Sequence, residues 1–192
     1  MTALILGLLI FLGAHSVRIV AEDWRSARIA SLGLNPWKGI YSLISLVGFV
    51  LIVWGYGGTR VDPIVIWNPP IWTRHLAALL TVPAIILVVA AYIPGNHIKA
   101  AIGHPMLLGV KIWALAHLIS NGRLGDILLF GAFLVWAILD FRTSRRRDRA
   151  TGVRYPAGTP ARDAIAVMVG LLVWGLLAGF LHEWLIGVRP FG

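Results

Sequence analysis

The chain has 192 residues, of which 58% are hydrophobic and only 13% are charged. Soluble globular domains contain about 25% charged residues, so this composition excludes an ordinary soluble domain and predicts an integral membrane protein. The net charge of +9 does not indicate a nucleic-acid partner, because the excess of Lys and Arg lies in the connections between apolar segments, where membrane proteins place it.

Six apolar segments come near the length of about 20 residues that a helix needs to cross a bilayer. In chain order they are residues 1–17, 39–56, 72–93, 104–120, 124–141 and 164–187. The fourth and fifth are short, and Asn121-Gly122 predicts a tight turn between them. Gly175 and Gly179 in the sixth segment form a small-xxx-small step that would allow close packing against another helix. The predicted fold is all-α: a polytopic transmembrane helical bundle of about six spans, forming a single integral membrane domain over residues 1–192.

The distribution of basic residues predicts how these segments are oriented. The connections after the first, third and fifth segments contain 12 of the 17 Lys and Arg residues, and the opposite side contains 4. The side richer in Lys and Arg is cytoplasmic, which predicts a multi-pass protein of the bacterial inner membrane with both termini extracytoplasmic. The polar connection at residues 142–162 is then a basic cytoplasmic loop. We interpret it first as a solvated anchor that fixes orientation, with binding of anionic lipid headgroups as the alternative.

A reporter fused to the carboxyl terminus tests this orientation. We expect a reporter that works only after export to be active. The amino terminus is predicted to be extracytoplasmic, and an even number of spans returns the chain to that side. A second reporter, which works only in the cytoplasm, serves as the control and is expected to be silent. Activity of the cytoplasmic reporter alone would contradict the predicted topology.

Ionisable residues inside the apolar segments are the candidate functional residues, because polar and charged groups are costly in hydrocarbon. The fourth segment contains His104, Lys111 and His117, the first contains His15, and the third begins near His75. Each imidazole could bind a metal ion or could hydrogen-bond to a neighbouring backbone carbonyl. The number of histidines in so short a chain favours metal binding. No cysteine is present, so thiolate ligands and disulfides are excluded.

His15 and His117 lie on apolar or aromatic helix faces. Helical spacing places Phe11 beside His15 and Trp113 beside His117. One neutral imidazole among apolar walls is what a haem site requires. Lys111 could extend its ammonium group to the cytoplasmic surface or could meet an anionic group such as a haem propionate.

The depth of the histidines in the bilayer leaves their pairing open. Under the predicted topology, His15 and His104 lie near the cytoplasmic side, and His75 and His117 lie nearer the outer side. At a rise of about 1.5 Å per residue, His15 and His117 would differ in depth by about 10 Å. Depth alone would therefore pair His75 with His117.

Five sequence motifs resemble those of one family of integral membrane proteins. They are GAHS at residues 13–16, WKGIYSL at 37–43, WTRHL at 72–76, YIPGNHIKAAIGHPMLLGVKIWALAHLISNG starting at residue 92, and LDFR at 139–142. They extend over nearly the whole chain and resemble the NnrU family. That family takes its name from denitrification gene clusters, where it is associated with nitrite and nitric oxide reduction.

The NnrU family is in turn similar to plant and cyanobacterial 15-cis-zeta-carotene isomerase, a membrane enzyme that uses haem b. This resemblance implies two haem ligands. One is His15, in the His-Ser motif, and the other is His117, in the motif that begins at Trp113. The isomerase has a cysteine inside that second motif, where this chain has Ala114.

These observations predict an integral membrane protein that binds haem b between its transmembrane helices. The predicted cofactor-binding residues are His15, Trp113, Lys111 and His117, with His15 and His117 as the metal ligands and His75 and His104 as alternative ligands. The resemblance implies a role in nitrite and nitric oxide reduction or in haem-dependent isomerisation, with lipid, haem and reductase components as partners. The alternatives are a non-enzymatic accessory protein that helps to assemble the reductases and, because His104-Pro105 resembles a motif of membrane methyltransferases, a methyltransferase that uses S-adenosylmethionine.

Overall fold

The structure of the protein, a computed structural model, describes residues 1–191. The helices are α1 Thr2–Val20, α2 Glu22–Leu32, α3 Leu34–Thr59, α4 Trp72–Tyr92, α5 His97–Ile102, α6 Pro105–Ser120, α7 Leu124–Thr151, α8 Pro160–Leu176 and α9 His182–Ile186, with a π-helical turn at Leu177–Leu181. Within residues 1–191, the β pairing consists of one isolated bridge between Val65 and Arg123. The all-α prediction is therefore confirmed.

Five helical stretches are long and apolar enough to cross a membrane. They are α1, α3, α4, α7 and the continuous run Pro160–Ile186. Helix α6 is apolar but has only 16 residues. Large apolar side chains on the long helices are exposed, among them Leu43, Trp54 and Leu79, as expected of surfaces that face lipid. The protein is therefore a multi-pass membrane protein with about six spans, while its orientation and the identity of the membrane stay predictions.

The basic segment after the fifth apolar stretch is more helical than its sequence predicts. A loop was expected over residues 142–162, but α7 continues to Thr151 and only residues 152–159 lie outside helices. Arginine favours helices, and Arg147 bonds to the Ser144 hydroxyl at 2.7 Å and lies 3.9 Å from Asp140. The expected boundary was wrong because the apolar pattern marks where a helix leaves hydrocarbon, not where it ends.

A short polar helix, α2, also lies outside the six predicted segments. Glu22 and Asp23 stand in its first turn, where negative charge interacts favourably with the helix dipole. The Glu22 carboxylate pairs with Arg18 at 3.4 Å and with Arg25 at 3.0 Å. Local charge pairs therefore support helix α2, and a search for apolar periodicity does not find it.

The chain forms two compact units, and α7 contributes to both. The first unit comprises Met1–Trp67 and Gly122–Trp136, and the second comprises Asn68–Asn121 and the chain from Ala137 onward. The first unit is thus built from two separate stretches of sequence.

In the first unit, α1 packs closely against α3 at positions that carry glycine. A Cβ atom added at Gly7 would lie 2.6 Å from a backbone nitrogen of α3, and one added at Gly48 would lie 2.7 Å from a backbone nitrogen of α1. At Gly55, the added atom would overlap the backbone of Leu4. Glycine therefore lets these two backbones approach within a distance that any side chain would prevent.

Polar contacts tie the end of α3 to the start of α7. The Tyr56 hydroxyl donates a hydrogen bond to the carboxylate of Asp126 at 2.7 Å, and Asp126 is buried. In the connection after α3, the N–H of Ile66 donates to the carbonyl oxygen of Gly122 at 2.8 Å. These bonds hold together the two stretches of sequence that form the first unit.

In the second unit, α4 packs against both α6 and α8. A Cβ added at Gly109 of α6 would lie 2.6 Å from the carbonyl oxygen of Ala84 on α4, and Gly170 of α8 is equally crowded against α4. Apart from their own helical turns, residues 1–191 place no atom within 4 Å of a Cβ added at Gly175 or Gly179. The described chain therefore does not use these two glycines for close packing, because α8 meets α4 at Gly170, more than one turn earlier.

Candidate functional site

His15 lies on α1 with one ring nitrogen engaged by its own helix. Its Nδ1 atom lies 2.7 Å from the carbonyl oxygen of Phe11, one turn earlier. Because a carbonyl can only accept a hydrogen bond, Nδ1 carries the proton, and Nε2 carries the lone pair in the neutral ring. Metal-binding histidines are commonly oriented by a backbone carbonyl in this way. His15 therefore offers Nε2 in the protonation state that a metal ion requires.

Aromatic rings surround the His15 imidazole in the first unit. Phe11 stacks on it with ring centres 4.2 Å apart, and Tyr41 lies at 5.2 Å. The ring of Trp136 is perpendicular to the imidazole at 5.9 Å, and its buried Nε1 has no hydrogen-bond partner within residues 1–191. An unpaired buried donor is costly, so Trp136 brings an unsatisfied N–H donor to the surroundings of His15.

His117 on α6 has the same internal hydrogen bond as His15. Its Nδ1 atom lies 2.8 Å from the carbonyl oxygen of Trp113, and the Trp113 ring lies 5.1 Å from the imidazole. The same argument places the proton on Nδ1 and the lone pair on Nε2. His15 belongs to the first unit and His117 to the second, and each is oriented by its own helix.

His104 is held in a polar cluster of the second unit. Its Nε2 atom lies 2.8 Å from the carboxylate of Asp148, which also accepts a hydrogen bond from the Tyr155 hydroxyl at 2.9 Å. The preceding Gly103 has φ +78°, and a Cβ added there would lie 2.8 Å from the Tyr155 ring. His104 therefore ties the start of α6 to α7 and to the segment after α7, with Nε2 committed to a carboxylate.

Burial and the hydrogen bond to Asp148 together raise the pKa of Tyr155 to about 12. The ordinary value is about 10, so the folded state favours the neutral phenol. This contribution to stability is fully present below pH of about 10 and is lost as the pH rises towards about 12. We expect the difference in phenolate absorbance between the wild type and Tyr155→Phe to titrate near the upper value. A difference that titrates near pH 10 would contradict the contact between Tyr155 and Asp148.

Lys111 lies against an aromatic ring of α7. Its Nζ atom is 3.8 Å from the ring centre of Phe141, a favourable cation–π arrangement. The imidazole of His104 meets the same ring in a perpendicular arrangement at 6.4 Å. Phe141 thus brings together two of the predicted site residues, Lys111 and His104.

His75 stands in the first turn of α4 and is exposed. Residues 1–191 contain no group of three or more His, Asp or Glu side chains that could hold a metal ion. Haem iron takes only one or two axial ligands from a protein, so this absence does not bear on haem.

Nearly the whole chain matches a known protein family. The sequence model described as NnrU protein matches residues 3–190. The chain belongs to the NnrU family. No curated protein and no solved structure matches it. For this NnrU-family protein, the further likeness to 15-cis-zeta-carotene isomerase stays a prediction.

Several residues of this NnrU-family chain reach the candidate sites without having been predicted there. Tyr41 and Trp136 contact His15, and Asp148 and Tyr155 contact His104. Tyr41 lies within the WKGIYSL motif, and that motif could have indicated Tyr41 as a site residue. The other three stand in an apolar helix or in the basic segment, where nothing in the sequence indicates which neighbour each one meets.

Proposed function

We propose that this NnrU-family protein is a haem protein of the membrane, with His15 as an axial ligand and His117 as a second candidate ligand. The observation that carries the proposal is the hydrogen bond from Nδ1 of each ring to a carbonyl of its own helix. That bond fixes the tautomer and leaves Nε2 with its lone pair. The two imidazoles have the same hydrogen bond and both lie on apolar helices, which supports a role in binding iron.

The surroundings of His15 fit a haem group. Phe11 and Tyr41 supply aromatic surfaces beside the imidazole, and a polar group of the cofactor would satisfy the unpaired Nε1 of Trp136. When bound, haem supplies one-electron redox chemistry and an iron centre for a small ligand such as nitric oxide. The contribution of the chain is to orient the imidazole and keep its Nδ1 proton in place.

The association of the family with nitrite and nitric oxide reduction favours a role in denitrification. We propose that the protein handles nitric oxide or transfers electrons close to the reductases, whose components would be its partners. Haem-dependent isomerisation of an apolar polyene is the alternative use of the same cofactor. The bacterial inner membrane, with both termini extracytoplasmic, is the proposed location.

The test is the optical spectrum of the full chain, purified in detergent from cells that are supplied with haem. We expect a Soret band together with the two visible bands of a reduced b-type haem. The proposal would be overturned if the purified protein is colourless and does not retain haem that is added in excess.

The second candidate is a non-enzymatic accessory protein for the reductases. Its support comes from the same hydrogen bonds, because an imidazole that donates to a carbonyl four residues earlier can be purely structural. In this case, the exposed apolar helix surfaces would pack against subunits of the reductases. Co-purification of a colourless protein with a reductase would favour this candidate over the haem protein.

A further inference from the structure

A small, open cavity on the second unit is lined by three arginines and one phenylalanine. Its volume is about 250 Å³, and its lining residues are Phe141, Arg142, Arg145 and Arg149 of α7. Residues three, four and seven positions apart share one face of a helix, so the three guanidinium groups and the ring belong to one side of α7. The cavity is smaller than the about 300 to 1,000 Å³ of sites that hold drug-sized molecules. It therefore suits a small group and not a nucleotide.

The positive charge at this cavity is only partly neutralised by the chain. Arg145 is positioned by a hydrogen bond from its guanidinium to the carbonyl oxygen of Ile102 at 3.2 Å. The carboxylate of Asp148 accepts hydrogen bonds from His104 and Tyr155 on one oxygen, Oδ2, and its charge attracts Arg145. This single negative charge therefore offsets only part of the charge of the three arginines.

Two of the arginines have no carboxylate of their own. Arg142 and Arg149 are exposed, and neither forms a salt bridge with any of residues 1–191. Lys111 adds to the excess, because its ammonium group lies 3.8 Å from the ring centre of the other lining residue, Phe141. An anion in the cavity would balance this excess of positive charge, and guanidinium groups match the oxygens of a phosphate group particularly well.

The position of the cavity along α7 indicates where that phosphate comes from. The apolar part of the helix ends at Phe141, and the following ten residues, from Arg142 to Thr151, include five arginines and one aspartate. A helix with this pattern leaves the hydrocarbon at Phe141, so the arginines lie at the level of the lipid headgroups. Phe141 offers an apolar contact to the upper part of an acyl chain.

We propose that this cavity binds the phosphate group of an anionic phospholipid. Arg142 and Arg149 contact the phosphate oxygens, Arg145 is held in place beside them, and Phe141 packs against the glycerol and acyl portion. Inorganic phosphate shares the charge and the oxygens but lacks the apolar part. The proposal does not depend on haem binding, because none of the four lining residues is a predicted haem ligand.

The experiment measures lipid binding to the full chain in detergent by native mass spectrometry. The probes are phosphatidylglycerol, zwitterionic phosphatidylcholine and inorganic phosphate. We expect the double variant Arg142→Gln/Arg149→Gln to bind phosphatidylglycerol about 25-fold more weakly, or about fivefold for each arginine. The variant Arg142→Lys/Arg149→Lys keeps the charge and is expected to lose less.

The matched control is Arg146→Gln/Arg154→Gln, which removes the same charge from exposed positions outside the cavity. Its affinity for phosphatidylglycerol is expected to stay within about twofold of the wild type, since surface charges beyond the contact distance are screened. Equal losses in the two glutamine pairs would overturn the proposal in favour of diffuse attraction. Equal binding of phosphatidylcholine, or binding of inorganic phosphate as tight as that of the lipid, would overturn it as well.

Discussion

His15→Ala is expected to remove most of the haem from the purified protein. Losing even an outer hydrogen-bond partner of a metal ligand costs about 10- to 100-fold in metal affinity, so losing the ligand itself should lower haem occupancy by at least about tenfold. The measurement is the Soret absorbance per protein, with bound haem extracted and quantified. His117→Ala is expected to lower occupancy or to shift the Soret band, depending on whether a second axial ligand is replaced.

Two further variants separate ligand loss from misfolding. His97→Ala removes an exposed imidazole that pairs with Asp163 at 2.7 Å, and it is expected to leave the spectrum unchanged. His15→Gly with added imidazole is expected to regain the Soret band, because a free imidazole can occupy the vacated space. If His15→Ala retains full haem and an unchanged spectrum, His15 is not a ligand. If imidazole restores nothing while the fold is intact, the role of His15 is structural.

Gly55→Ala is expected to destabilise the first unit, although it adds only one methyl group. The new Cβ would overlap the backbone of Leu4. Backbone atoms cannot relieve such an overlap by changing rotamer, as a flexible side chain can. Overpacking of this kind costs about 1 to 3 kcal/mol. The measurement is the free energy of unfolding of the purified protein in detergent, followed by circular dichroism.

The matched control is Gly57→Ala, two residues further along α3. A Cβ added at Gly57 meets nothing within 4 Å, so the substitution should raise the free energy of unfolding by about 0.4 to 1 kcal/mol through the unfolded state. The two variants are therefore expected to act with opposite sign. Stabilisation of similar size by both would show that α1 and α3 do not approach at Gly55 as described.

The long apolar helices could be predicted because their apolar composition indicates the environment in which each helix lies. A run such as that of α4 is too apolar for any place but a bilayer or a protein core. The continuation of α7 through its arginines and the polar helix α2 could not be predicted in this way. Both depend on helix propensity and local charge pairs, which an apolar pattern does not record.

The candidate site could be predicted only in part. Helical spacing placed Phe11 beside His15 and Trp113 beside His117, since neighbours one turn apart follow from sequence alone. The contacts of His15 with Trp136, and of His104 with Asp148, join residues that are far apart in the chain. Such contacts depend on which helices pack together, and a single sequence does not contain that information. For the same reason the sequence does not show that α8 packs closely at Gly170 and not at Gly175 and Gly179.

The bond between Tyr56 and Asp126, which lie 70 positions apart, has a consequence for biogenesis. During synthesis the ribosome delivers α1 to α3 well before Asp126 emerges. The amino-terminal hairpin is therefore inserted before the partner of the Tyr56 hydroxyl, Asp126, is available. Completion of this unit is thereby postponed until more than half of the polypeptide has been translated.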